Sequence, residues 1–152
     1  MPLQRAMRQT QQVALVLGIV FLGAGIAGFV PAFLTPSDEP MAVNTLHGRL
    51  FGLFPVNILH DLFHVAFGVW GLMVFRRFAA SKTYLKTTAI VYGVLIVAGF
   101  IPGLQTMFGL IPLHSHDIWL HALIAAPAAY FGFRAEQPEA EHHGEFGVRG
   151  AD

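Results

Sequence analysis

Four residues of this chain combine types and spacing that could do chemistry: His60, His64, Asp117 and His121. His60 and His64 are four apart, so on a helix they share one face. Asp117 and His121 repeat that spacing 57 residues further on. Three imidazoles and a carboxylate supply the nitrogen and oxygen donors that suit zinc, iron, copper or manganese. His64 and His121 alone would instead be the cofactor-binding pair of a b-type haem, one axial ligand from each helix. A chain of ionisable groups in an apolar segment can also relay protons. The structural alternative is that the same groups only hydrogen-bond across a helix interface and fix its register, at about 0.6 kcal/mol per pair in a membrane. These alternatives stay open on the sequence.

The elements that must position the four residues are apolar. Of the 152 residues, 55% are hydrophobic and 12% charged, with a mean hydropathy of +0.58. Ordinary soluble domains carry about 25% charged residues. Four apolar stretches, at 12–33, 58–75, 87–104 and 117–133, stand against a requirement of roughly 20 residues per crossing. The first has no polar face, as a buried helix of a soluble core would need. The expected fold class is therefore an all-α membrane protein with four transmembrane helices.

Charge sets the orientation. Arg5 and Arg8 precede the first stretch, Arg76, Arg77, Lys82 and Lys86 fill the second connection, and Arg134 ends the fourth stretch. The other two loops hold only Arg49, set against Asp38 and Glu39. The positive-inside rule then predicts a multi-pass protein of the inner (plasma) membrane with both termini cytoplasmic. A secretory signal peptide competes for the first stretch, with Arg5 and Arg8 as its basic region and Gly25-Ile26-Ala27 as a cleavage site. The expected division is a cytoplasmic N-terminus at 1–11, a membrane domain at 12–134 and a disordered acidic cytoplasmic tail at 135–152. His142 and His143 lie in that tail and are read as solvated.

The chain also repeats itself. Phe51-Gly52-Leu53-Phe54-Pro55-Val56 returns as Phe108-Gly109-Leu110-Ile111-Pro112-Leu113, and the register carries His64 onto His121, Gly68 onto Ala125 and Gly71 onto Ala128. Upstream, Ala27-Gly28-Phe29-Val30-Pro31 echoes Ala98-Gly99-Phe100-Ile101-Pro102. That echo argues that the first stretch stays in the mature protein. The unit is a helical hairpin used twice, both copies starting and ending inside, hence two parallel helical-hairpin repeats. Pro31 and Pro102 should end the first and third helices, and Asn57 and Ser115 should cap the second and fourth. The first outer loop is the longer: 24 positions separate Pro31 from Pro55, against 10 from Pro102 to Pro112. Its extra residues would form an external lid or a loose loop.

Small residues follow the polar ones along each stripe, Gly68 and Gly71 after His64, Ala125 and Ala128 after His121. Such stripes let helix backbones approach in lipid. The simplest geometry sets the two stripes face to face, with the four polar side chains converging in a funnel open to the outside. Close helices leave little width for a porphyrin, so a bare metal ranks above haem. His47, His114 and His116 fall in outer loops and are read as mostly exposed. Trp119, Tyr84 and Tyr130 are read as interface anchors and Trp70 as packing.

Absences narrow the function. With no cysteine there are no disulfides, thiolate metal sites or covalent haem. No nucleophile elbow, P-loop, dinucleotide fingerprint or zinc-protease motif occurs. The basic residues flank apolar stretches and suit anionic lipid headgroups, not nucleic acid. The expectation is a non-catalytic membrane module whose outward-facing polar cluster binds a metal ion. The alternative is a structural or accessory subunit of a membrane complex. Expected partners are the lipid bilayer, other membrane proteins or further copies of the chain.

Leu50-Phe51-Gly52-Leu53-Phe54-Pro55-Val56-Asn57 followed by Leu59-His60-Asp61-Leu62-Phe63-His64 resembles the signature of a bacterial family of small four-helix membrane proteins, domain of unknown function 4383. Tyr92-Gly93, Gly99-Phe100, Phe108-Gly109-Leu110-Ile111-Pro112 and Asp117-Ile118-Trp119-Leu120-His121 resemble that family's second half, so the likeness runs from Gln12 to Phe133. It implies four spans and no assigned activity, with His60, His64, Asp117 and His121 on the family's recurring polar positions.

Overall fold

The protein, seen in a computed structural model, is described over residues 2–134; the acidic tail with His142 and His143 lies outside the described residues. In chain order it forms α1 (Pro2–Gly28), a 3₁₀ turn (Pro31–Phe33), β1 (Leu34–Pro36), β2 (Gly48–Leu50), β3 (Phe54–Val56), α2 (Ile58–Val74), α3 (Phe78–Phe100) and α4 (His116–Arg134). Among the described residues, two helical segments are long and apolar enough to cross a membrane, Gln4–Gly28 and Phe78–Phe100. α2 is apolar but has 17 residues. α4 has 19 residues and carries His116, Asp117, His121 and Arg134 along its length.

Helix ends follow local chemistry. α1 and α3 stop shortly before Pro31 and Pro102, because proline restricts the residue before it and cannot extend the ladder. α3 starts at Phe78 instead of the expected 87, since Phe78, Ser81, Tyr84 and Leu85 on this polar-looking turn are buried. The Ser81 hydroxyl donates to the Val74 carbonyl at 3.1 Å, fastening the tight α2–α3 connection.

The helices pack chiefly as two hairpins, α1 on α2 and α3 on α4. Their shared core holds Leu17 and Phe21 of α1, Tyr84, Leu85 and Tyr92 of α3, and Ile124 and Ala128 of α4. Here the expected face-to-face stripes are corrected. Gly68 and Gly71 of α2 turn toward α1, not α4: a Cβ on Gly71 would come within 2.8 Å of the Gly18 Cα, and one on Gly68 within 2.7 Å of the Leu22 Cα. In the other hairpin Gly132 of α4 meets α3, where a Cβ would lie 2.8 Å from the Lys86 backbone nitrogen. Small residues thus serve contacts inside each hairpin. Tyr84 is corrected as well: it is fully buried against the α2 backbone, edge-on to Trp70 at 5.2 Å, instead of anchoring an interface.

At one end of the bundle the loop between α1 and α2 folds into a small antiparallel sheet in the order β1-β2-β3, so the expected all-α class is corrected to a mostly helical one. Leu34 pairs with Leu50, and Leu50 in turn with Phe54. Three-residue strands with two prolines carry too little alternation to be read from sequence. The two Phe-Gly turns adopt the same left-handed backbone, φ +52° and +73° at Phe51-Gly52 and +61° and +82° at Phe108-Gly109. The Gly109 carbonyl accepts from the Ala42 and Val43 amides at 2.9 and 3.1 Å, joining the two outer loops.

Asn57 completes that junction. Its Oδ1 caps α2 by accepting from the His60 amide at 3.0 Å, as expected. Its Nδ2 donates to the Val43 and Leu110 carbonyls at 3.0 and 2.7 Å. Ser115 does not act as the expected cap. It sits at φ +65°, outside the extended conformation of a capping residue, and its hydroxyl pairs with His116 Nδ1 at 3.2 Å.

Candidate functional site

Beneath this cap lie the histidines. Asn57 fixes the first turn of α2, so His60 and, one turn on, His64 project from the same face. The first turns of α4 bring Asp117 and His121 to meet them. The three imidazoles gather: one ring nitrogen from each of His60, His64 and His121 lies within 4.8 Å of the others. Ring centroids are 4.5 Å apart for His60 and His64 and 6.0 Å for His60 and His121.

Asp117 stands beside this triad, outside it. Its Oδ2 is 3.6 Å from His60 Nδ1, beyond hydrogen-bond length but close enough to orient the ring. The expected metal set of His60, His64, Asp117 and His121 therefore separates into three convergent imidazoles and one supporting carboxylate. The expected open funnel is also corrected. His60 and His64 are 4% exposed and His121 0%, because the folded first loop and the 101–115 segment close over them.

The walls are aromatic. Phe21 of α1 stacks on His64 with 5.7 Å between centroids, and Tyr92 of α3 meets His121 edge-on at 4.9 Å. Among the described residues, neither ring nitrogen of His121 has a hydrogen-bond partner, nor has His60 Nδ1 or Asp117 Oδ2. A neutral imidazole offers one donor and one acceptor, and burying such a group unpaired costs about 1–3 kcal/mol. The cluster is thus expensive as packing alone.

Asp61, a neighbour in sequence, belongs elsewhere. It is fully buried with both carboxylate oxygens unpartnered, and it lies against Gly28 of α1, where a Cβ would overlap the carboxylate. On the sequence it is a carboxylate in the first turn of a helix, where the helix dipole favours it. The signal available was the register that sets Asp61 opposite Ile118 in the other hairpin. Among the outer-loop histidines, His114 pairs with Glu39 at 2.8 Å, His116 is exposed and His47 is half-buried.

Fold and site together define a small, mostly helical protein of two packed hairpins whose loop cap encloses a histidine triad. Residues 11–134 match the family described as Domain of unknown function (DUF4383), and the chain belongs to that family. No curated protein and no solved structure matches it.

Proposed function

We propose that the protein is a four-span membrane protein, built from two parallel helical-hairpin repeats, that binds one transition-metal ion through His60, His64 and His121. The observation that carries this reading is that both ring nitrogens of His121 and Nδ1 of His60 are buried with no hydrogen-bond partner among the described residues. Histidines placed only to lock helix register would hydrogen-bond one another or nearby groups, yet both nitrogens of His121 are left without a protein partner. Around a tetrahedral ion with bonds of about 2.0 Å, ligand nitrogens stand about 3.3 Å apart. Nitrogens already within 4.8 Å need only modest inward rotation to reach that geometry. Asp117 would hold the His60 ring in place by accepting from Nδ1, the usual carboxylate support for a liganding imidazole.

Haem fits less well. The rings of His60 and His64 already close to 4.5 Å, and Phe21 and Tyr92 occupy the flanks where a macrocycle would lie. Three nitrogens with no fixed fourth protein ligand suit zinc or a comparable divalent ion.

The membrane reading rests on the two long apolar helices, on the equivalent placement of α2 and α4 beside them, and on charge. Arg76, Arg77, Lys82 and Lys86 lie around the α2–α3 connection and Arg134 at the end of α4, the bundle end opposite the cap. The cap then faces outside and both termini face the cytoplasm.

Metal-free protein titrated with Co²⁺ in detergent should develop ligand-field bands at one ion per chain, displaced by Zn²⁺. His64→Ala and His121→Ala should abolish those bands, and Asp117→Asn should weaken affinity about 10–100-fold without abolishing binding. Retention of full Co²⁺ affinity in both histidine variants would falsify the assignment.

A further inference from the structure

We propose that a cavity beside the triad is a dry site for a small uncharged apolar molecule, entering from the flank of the bundle between α2 and α3. The cavity measures about 110 Å³. Its walls are Phe63 and Phe67 of α2, Val91 and Leu95 of α3, and Met107 and Leu113 of the second outer loop, with the His60 and Tyr92 rings at its edge. No charged side chain lines it, so an ion would find no counter-charge there.

Water is a poor occupant. A buried water needs two to four polar partners, whereas apolar cavities near 150 Å³ stay empty of water and take up benzene or xenon. At about 110 Å³, this one suits a molecule of that size or smaller, the class that includes dioxygen and xenon. Its position has a cause in the fold. α2 and α3 belong to different hairpins and approach each other far less than the helices within either hairpin, so side chains and not close backbones bridge the seam between them.

The seam is also an entrance. Phe63, which lines the cavity, is 54% exposed on the outer flank of α2. In a four-span protein that flank faces hydrocarbon, in which small apolar molecules concentrate. His60 stands in the cavity wall and in the triad at once, so a guest here would lie against a triad residue without crossing the polar cap. The cavity itself does not depend on a bound metal, and the two ideas can fail separately.

The test uses the full chain, metal-free, in phosphatidylcholine nanodiscs with ¹³C-methyl methionine, and xenon as the probe. Met107 lines the cavity, while Met73 is 76% exposed on the outside of α2 and reports xenon dissolved in lipid. The Met107 methyl should shift saturably with xenon pressure, and Met73 only in proportion to it. Leu95→Phe, which fills the space, should remove the saturable component; Val91→Ile, a smaller change that serves where Leu95→Phe does not fold, should reduce it. A Met107 response that stays proportional to pressure, or one unchanged in a folded Leu95→Phe protein, overturns the proposal. So does a strong cross-peak from Met107 to lipid chain methylenes with no xenon response, which would mark an acyl chain as the occupant. Loss of Co²⁺ binding with an intact xenon response would reject the metal reading and leave this site standing.

Discussion

The two hairpins solve one packing problem with different residues. In the first, Gly28 near the end of α1 gives room to Asp61 of α2. In the second, Gly99 near the end of α3 gives room first to the Leu113 carbonyl and then to Ile118 of α4, whose Cγ1 would lie 3.0 Å from a Cβ on that glycine. Gly28 and Gly99 share the Ala-Gly-Phe-x-Pro element, and residues 61 and 118 share the register that relates His64 to His121. The notch opposite the glycine therefore needs a side chain, and an aliphatic one fills it. A buried, unpaired carboxylate at the first notch is not required for packing, and it carries a desolvation cost.

Exchanging residues between the hairpins is the sharpest way to break this comparison. The largest effect is expected at position 68, where the register puts Ala125 in the second hairpin. Gly68→Ala would drive a methyl group within 2.7 Å of the Leu22 Cα, backbone that cannot rotate away. An unfolding free energy lower by about 3 kcal/mol is expected, the upper range for overpacking. The reverse change, Ala125→Gly, should cost about 1 kcal/mol through helix propensity alone. Equal losses, measured as unfolding in detergent, would mean that α1 and α2 are not held at the separation seen here.

Next comes the notch itself. Asp61→Ile places in the first hairpin the residue that the second already uses, and should raise stability by about 2 kcal/mol by removing an unsatisfied buried group. A lowered unfolding midpoint would mean that the carboxylate has a stabilising partner, a proton or a bound cation, and would give the first hairpin a chemistry the second lacks.

Much of this pairing was legible beforehand because repetition is a long-range signal that needs no knowledge of contacts. Two copies of Phe-Gly-Leu-x-Pro implied two equivalent turns, and Phe51-Gly52 and Phe108-Gly109 do share the left-handed conformation. Four-residue spacing and register put His60, His64 and His121 on equivalent helix faces, and their ring nitrogens do lie within 4.8 Å of one another, although the glycines expected to bring those faces together turn to α1 and Asp117 stands aside. Other features depend on partners that spacing does not name. A stripe of glycines says that something approaches closely; which helix approaches is decided by tertiary packing, here α1 against α2. The cap was legible only as one of two alternatives, a lid or a loose loop, since strands at 34–36, 48–50 and 54–56 owe their existence to pairing across the loop instead of to their own pattern. With it went the exposure of the triad, an open funnel in prospect and a closed chamber in fact.

The two Phe-Gly turns sharpen the comparison further, since equal backbone angles meet unequal surroundings. Gly52 at φ +73° has only the Thr35 hydroxyl near a Cβ position, at 3.7 Å. Gly109 at φ +82° faces the Ala42 backbone nitrogen at 2.8 Å and anchors the loop junction. Gly52→Ala should cost about 1–2 kcal/mol, the strain of a left-handed alanine. Gly109→Ala should cost about 1 kcal/mol more, as the amide hydrogen bonds to its carbonyl are disturbed. Hydrogen exchange at the Ala42 and Val43 amides reads the difference directly: protection should fall in Gly109→Ala and hold in Gly52→Ala.

The smallest effect is expected where the loops meet at the surface. His114 and Glu39 pair at 2.8 Å, but their side chains are 18% and 28% exposed, within reach of water and salt. Such a pair is worth at most about 1 kcal/mol, and the same two loops are already joined by Asn57 and by the Gly109 carbonyl. Glu39→Gln should therefore shift the unfolding midpoint little, and less still at high salt. A loss well above about 1 kcal/mol would locate the hold on the cap in this ion pair instead of in Asn57. Closure over the triad would then depend on a single exposed contact in the longer loop, a feature of the first hairpin with no counterpart in the second.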